Sequence, residues 1–216
     1  MNFKFFVILA VLAAGCECAR ILVLYPTISV SHVMPLQSLS IALAEADHDI
    51  TFVSTYPLGK KVKNYRDIRI PFDEADKEFL NEFARDPKGK GPIFMFSKLK
   101  SLVPRVVNDT LHMKEMRKLM DEEEFDLVIV GYFFMTEPIL GVADHFKCPS
   151  ILFSPATAFS ILTQAIGNPL GTAGTPHMLV PVEKMDFVGR LKTFLITGVE
   201  LAVGQYFKYI GRKLYK

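Results

Sequence analysis

The chain has 216 residues, half of them hydrophobic, and its 25 Lys and Arg against 23 Asp and Glu leave a formal charge of +2. That length holds one large α/β domain with a full core, and no linker composition divides it into two. The high apolar content and near-balanced charge exclude intrinsic disorder and the basic footprint of a nucleic-acid binder, and they imply no polyanionic partner.

Residues 1–19 read as a secretory signal: Lys4 supplies the positive charge, Phe5 to Ala14 the apolar stretch, and Cys16-Glu17-Cys18-Ala19 a small-residue exit. The mature chain is expected to begin near Arg20. For an uncleaved anchor the apolar run is short, and Ala13 fits poorly with a lipoprotein signal ending at Cys16. Removal of the leader takes two of the three cysteines, so Cys148 stands alone and no intrachain disulfide forms. With no basic cluster nearby to lower its pKa, Cys148 is expected to be a small core residue and not a nucleophile.

The first strand, Ile21 to Tyr25, gives way through Pro26-Thr27-Ile28-Ser29-Val30-Ser31 to a helix that carries His32. Carboxyl ends of strands carry the chemistry of α/β folds, and an imidazole there titrates near neutrality, which makes His32 a candidate base. The plain alternative is a capping or buried histidine. Leu36, Leu39 and Leu43 predict one apolar helix face, and Asp47 predicts a left-handed turn at its end. Further strands are expected at Ile50 to Ser54, Ile68 to Phe72, Leu127 to Val130 and Ser150 to Phe153. Their continuous Val/Ile/Leu runs suit a parallel sheet covered by helices on both faces.

Between Asp73 and Glu124 the pattern is mainly helical, with Phe79 and Phe83 on one face, a loop over Asp86 to Pro92, and a second helical tract around Leu111 to Met120. The loop lysines lack the following hydroxyl of a phosphate-binding loop. Asn108-Asp109-Thr110 is an N-glycosylation pattern, usable only in a secretory lumen, so Asn108 is a glycosylation candidate and supports an endoplasmic-reticulum fate. Asp121 to Glu124 reads as a solvated helix end. From Phe187 the tail mixes Lys192, Lys208, Arg212, Lys213 and Lys216 with Phe194, Leu195, Tyr206, Phe207 and Tyr209; Gly198 and Gly204 interrupt it. Its charges exclude a clean transmembrane helix, leaving a neighbouring domain or a lipid surface as contacts for its apolar side.

Ser31-His32-Val33-Met34-Pro35-Leu36, followed by Leu43 to Val53, resembles the opening of the UDP-glycosyltransferases that include the animal glucuronosyltransferases, in their insect-like form. Gly167-Asn168-Pro169, Pro176, Val180-Pro181 and Met185 to Leu191 follow in the order found in that family's amino-terminal half. The resemblance runs from about Arg20 to at least Leu195. It implies that residues 20–216 form a Rossmann-like, mostly parallel domain, the acceptor half of a GT-B glycosyltransferase. It also implies that His32 is the general base on the hydroxyl of a small lipophilic acceptor. UDP-sugar is then a co-substrate, with no tightly bound cofactor and no metal, and the compartment is the endoplasmic-reticulum lumen or membrane.

In that family a carboxylate ends the strand that begins Phe-Asp and orients the histidine. Here the strand is Phe125-Asp126-Leu127-Val128-Ile129-Val130, and the matching place is Gly131, followed by Tyr132. Asp126 lies at the opposite end of the strand, and Glu137 and Asp144 are expected to be surface carboxylates. An Asp at 131 is therefore expected to orient the imidazole and to preserve or raise activity. The family's donor half, with its nucleotide-sugar signature, does not occur before Lys216, so the chain by itself is expected to bind acceptors and turn over no UDP-sugar. The competing reading is a binding or regulatory module, a short isoform that pairs with full-length enzymes. A generic nucleotide-binding domain is disfavoured because no Gly-x-Gly-x-x-Gly follows the first strand.

Overall fold

The computed structural model describes residues 18–85, 91–132, 136–155, 160–165, 167–168, 170–171, 174–177 and 184–211. The apolar leader expected over 1–19 lies almost wholly outside them, as do most of the 86–92 loop, Pro169, and Val180-Pro181. Five strands, β1 (Arg20–Tyr25), β2 (Asp49–Ser54), β3 (Tyr65–Arg69), β4 (Leu127–Gly131) and β5 (Ser150–Phe153), form one sheet in the order β3-β2-β1-β4-β5. Every pairing is parallel. β1 is central, which explains why all but its first residue are buried.

The period of two along β1 divides the core. Ile21, Val23 and Tyr25 point to one side, where they join Val33, Leu36 and Ala44 of helix α1 (Val30–Glu45). Leu22 and Leu24 point to the other, against helices α3 (Gly91–His112), α4 (Lys114–Glu122) and α5 (Gly141–Phe146), with Val103, Val107 and Met116 packed there, while helix α2 (Glu74–Arg85) is tied to α3 by the Asp76–Arg105 ion pair. Both faces of the sheet are thus covered, as the uninterrupted apolar strands require. Helices α6 (Ser160–Ala165) and α7 (Phe187–Gly211) follow β5.

Three local expectations are corrected. The third strand is Tyr65–Arg69 instead of Ile68 to Phe72. As an edge strand it mixes exposed Arg66 and Arg69 with half-buried Tyr65, Asp67 and Ile68, and Pro71 lacks the N–H needed to extend the ladder. The buried stripe of α1 is Val33, Leu36, Ser40 and Ala44, while Leu39 is 42 % exposed. Small Ser40 and Ala44 let the helix lie close to the sheet, and the Ser40 hydroxyl donates back to the Leu36 carbonyl at 2.8 Å. The glycines of the tail do not interrupt it: α7 runs unbroken past Gly198 and Gly204. Asp47 does adopt the left-handed conformation, with φ 67°, just beyond α1. Phe79 and Phe83 fall in α2, but their side chains are outside the described set.

The amino edge of the sheet is braced by charge. Glu123, expected to be solvated, instead accepts from both guanidinium nitrogens of Arg66 at 2.8 and 3.0 Å and from Arg20 at 3.2 Å. Arg66 holds this carboxyl below the usual carboxylate range. The Arg20 backbone N–H donates to the Asp126 carboxylate at 2.7 Å.

Candidate functional site

In a sheet of this order, connections leave β1 and β4 in opposite directions, and the crevice between their carboxyl ends is where ligands bind. His32 lies there, in the first turn of α1, with its backbone N–H on the Ser29 carbonyl at 3.2 Å. The turn that carries it is fixed from β2's exit. Thr55 donates its hydroxyl to the Thr27 carbonyl, and the Tyr56 hydroxyl donates to the Ile28 carbonyl at 2.9 Å. Gln37 of α1 in turn donates its side-chain amide to the Tyr56 carbonyl at 2.7 Å. Loop and helix are therefore tied together on both sides of the imidazole.

His32 is half-buried, and desolvation pushes its pKa below the ordinary histidine value, so at neutral pH the ring is uncharged and able to accept a proton. Apolar Val30 and Met34, from the same first turns, are exposed at this edge.

Gly131 ends β4 beside the last residue of β1. A Cβ at 131 would sit 2.2 Å from the Tyr25 ring, so the ring fills the space into which a carboxylate at 131 would grow. The Tyr25 hydroxyl is buried with no hydrogen-bond partner, and burial pushes its pKa well above the tyrosine range. This overturns the expectation that Asp at 131 would simply orient His32: Tyr25 must first leave its rotamer.

The other sequence candidates fall away from this edge or serve structure. Asp126 is at the amino end, bonded to the Arg20 backbone, and Asp144 is exposed on α5. Cys148 packs on the core, and desolvation raises its thiol pKa, as a structural cysteine requires. Asn108 is on α3, partly exposed, two residues before Thr110, which is buried with its hydroxyl on the Val106 carbonyl at 2.7 Å. The side chain of Glu137 lies outside the described set.

Two open clefts flank the Arg105–Asp76 ion pair. One, about 240 Å³, is bordered by Phe72, Asp73 and Asp109; the other, about 380 Å³, by Lys98 and Ser101. His32 lines neither. Among the described residues no group of three His, Cys, Asp or Glu is placed to hold a metal.

The sequence analysis missed one polar pair. His177 Nε2 and Glu200 Oε2 are 2.6 Å apart, with both side chains about 5 % exposed or less. The signal was available: Glu200 is the lone acid of the 25-residue helix α7.

The all-parallel sheet, the helices on both faces and the histidine at the central carboxyl edge define a Rossmann-like α/β domain. No family model matches the chain. Two UDP-glycosyltransferases of Dactylopius coccus do. UGT4 is 24 % identical over 203 residues, covering 91 % of this chain and 38 % of its own length. UGT5 is 26 % identical over 198 residues, covering 88 % and 37 % respectively. The chain is a distant homologue of these insect UDP-glycosyltransferases and spans little more than a third of their length. Among solved structures, a UGT transferase from Siraitia grosvenorii in complex with UDP overlaps 75 % of this chain and 31 % of its own at 16 % identity and TM-score 0.37. The C-terminal domain of a Pyrococcus furiosus hydrogenase overlaps 63 % and 91 % at 14 % identity and TM-score 0.38. Both overlaps are loose.

Proposed function

We propose that the chain is the amino-terminal, acceptor-binding half of a UDP-glycosyltransferase, and that His32 takes the proton from the acceptor hydroxyl as the sugar is transferred from UDP. The observation that carries this reading is the position of a neutral, half-buried imidazole at the carboxyl edge of the central strand. The distant kinship supports it, because a sugar donor bound by UDP calls for a base on the acceptor side. A hydroxyl is a weak nucleophile until its proton has somewhere to go. The acceptor class is small, lipophilic and hydroxylated, in keeping with exposed Val30 and Met34 near the histidine.

Transfer needs donor and acceptor held together in attack geometry, so residues 1–216 alone bind acceptors without turnover. The sequence pattern of a leader over 1–19, cleaved near Ala19, is what favours work in the endoplasmic-reticulum lumen. A second reading, acceptor binding without catalysis or pairing with a full-length enzyme, is favoured by Tyr25 filling the space beside Gly131.

The test supplies a donor half by fusion or co-expression and follows radiolabelled sugar from UDP-sugar to acceptor. His32→Ala should lower kcat by about a hundredfold or more while acceptor binding persists. A fully active His32→Ala enzyme overturns the role of His32. Transfer by the purified 216-residue chain overturns the need for a second half.

A further inference from the structure

An imidazole that works as a base needs a group on its second ring nitrogen to fix its tautomer and orientation, and that group is usually a carboxylate. The segments that build the carboxyl edge supply none. Ile21 to Ala44, Leu127 to Thr136 and Ser150 to Pro176 contain no Asp, Glu, Lys or Arg, so the ends of β1, β4 and β5 and the body of α1 are without charge. The β2 side adds exposed Lys60 and Lys61, and Tyr56 with its hydroxyl committed to the Ile28 carbonyl. Burial, not a neighbouring charge, is what lowers the His32 pKa.

Around the turn that carries His32 the hydroxyls are engaged. Thr27 Oγ1 accepts from the Ser29 backbone N–H at 3.3 Å, Thr55 donates to the Thr27 carbonyl, and Ser29 and Ser31 share a hydrogen bond at 3.0 Å. Tyr25 is the exception. Its side chain is wholly buried and its Oη has no hydrogen-bond partner, a costly condition in an apolar interior and one that calls for a cause. Tyr25 ends the central strand and points to the α1 face, where it shares a buried cluster with Val33 and Leu36. His32 precedes Val33 and stands about 40° round the helix from Leu36, on the flank of the same stripe. Gly131, without a Cβ, leaves the room that the ring fills at the β1–β4 crevice. Phenol and imidazole thus belong to one edge and one face of the sheet.

We propose that Tyr25 is the positioning residue of His32: as one ring nitrogen takes the proton of the acceptor hydroxyl, the N–H of the other donates to Tyr25 Oη. The inference rests on reading His32 as the base. The acceptor O–H breaks and an N–H forms on His32, while the second nitrogen keeps the hydrogen that it donates and the phenol keeps its own. Burial holds the phenol far above its ordinary pKa, so a neutral group orients the imidazolium without taking up its charge.

Tyr25→Phe keeps the ring and removes only the oxygen. In the 216-residue chain the His32 ring, followed by NMR, should titrate about half a pH unit lower in Tyr25→Phe, because the charged form has lost a hydrogen-bond acceptor. The urea midpoint should stay at or above the wild-type value, since the oxygen removed had no partner in the resting chain. In the enzyme completed with a donor half, Tyr25→Phe should lower kcat about tenfold, leave the acceptor KM unchanged and move the acid limb of the pH–rate profile downward. An unmoved His32 midpoint overturns the proposal. So does full kcat in Tyr25→Phe beside an inactive His32→Ala, which leaves the base reading standing. A fully active His32→Ala enzyme overturns that reading itself, and this proposal with it.

Discussion

Helices α4 and α7 differ in what they turn to solvent. α4 buries Met116 and Leu119 and turns Lys114, Glu115, Arg117 and Lys118 to solvent. Among its described side chains α7 buries Thr193, Thr197 and Glu200, which is hydrogen-bonded to His177, packs Val203 on the core, and turns Phe194, Leu195 and Tyr206 outward. For α4 the hydrophobic effect alone dictates which face goes in. For α7 the described inward side is mixed, two threonines and a hydrogen-bonded carboxylate beside Val203, while the outward side is largely apolar. The difference teaches that a helix pattern fixes a stripe but not which side of it faces the protein; that depends on what else is available to cover it.

The comparison is broken by removing the polar anchor of α7. Glu200→Ala removes the carboxylate 2.6 Å from the buried His177 Nε2 and should cost about 1–3 kcal/mol in urea-induced unfolding. Phe194→Ser, one and a half turns away on the outward face, should stay within about 0.5 kcal/mol. A cost for Phe194→Ser as large as that for Glu200→Ala would mean that the exposed face is packed in solution.

In α4 the ranking inverts. Met116→Ala empties a fully buried site and should cost about 2–4 kcal/mol, whereas Lys118→Ala, whose partner Glu122 is as exposed as itself, should cost almost nothing. Together the four variants establish, by denaturation alone, which face of each helix is inside.

At the carboxyl edge the contest is steric. Gly131→Asp drives a side chain into the Tyr25 ring and should destabilise by about 1–3 kcal/mol. Tyr25→Ala on its own leaves a cavity, but combined with Gly131→Asp it should cost less than the two single changes added together. Strict additivity would show that ring and carboxylate do not compete for the same volume.

The smallest expected effect is a titration. His32 has a folded pKa below its unfolded value, so the folded state is favoured in full above about pH 6.5. That advantage is lost as pH falls through the lower folded value, because the unfolded chain binds the proton first. Histidine ring resonances followed by NMR should place the His32 midpoint below the ordinary histidine value of about 6.5. A midpoint above it would contradict burial as the controlling factor.

Much of the sheet was legible because its strands are buried on both sides and read as continuous apolar runs: four of the five were bounded to within a residue. β3 was not, since Tyr65-Arg66-Asp67-Ile68-Arg69 sits at an edge and carries three charged residues in five. His32 was legible as a strand-end histidine. The filling of Gly131's neighbourhood by Tyr25 was not, because contact between the ends of β1 and β4 is a property of register and spans more than a hundred residues. The His177–Glu200 pair, 23 residues apart, was signalled only by a lone acid on an apolar helix, and Leu39 misled because leucine spacing ignores how small residues such as Ser40 and Ala44 draw a helix inward.

The bond from the Arg20 backbone nitrogen to Asp126 would acquire a different character if the proposed leader were removed. Cleavage after Ala19 would convert that amide into an α-ammonium group 2.7 Å from a carboxylate. Maturation would exchange the strand contact between Ala19 and Asp49 for a terminal ion pair locking β1 to the start of β4. Processing and folding would then be coupled at one atom, and Asp126→Asn would weaken the processed chain more than its precursor.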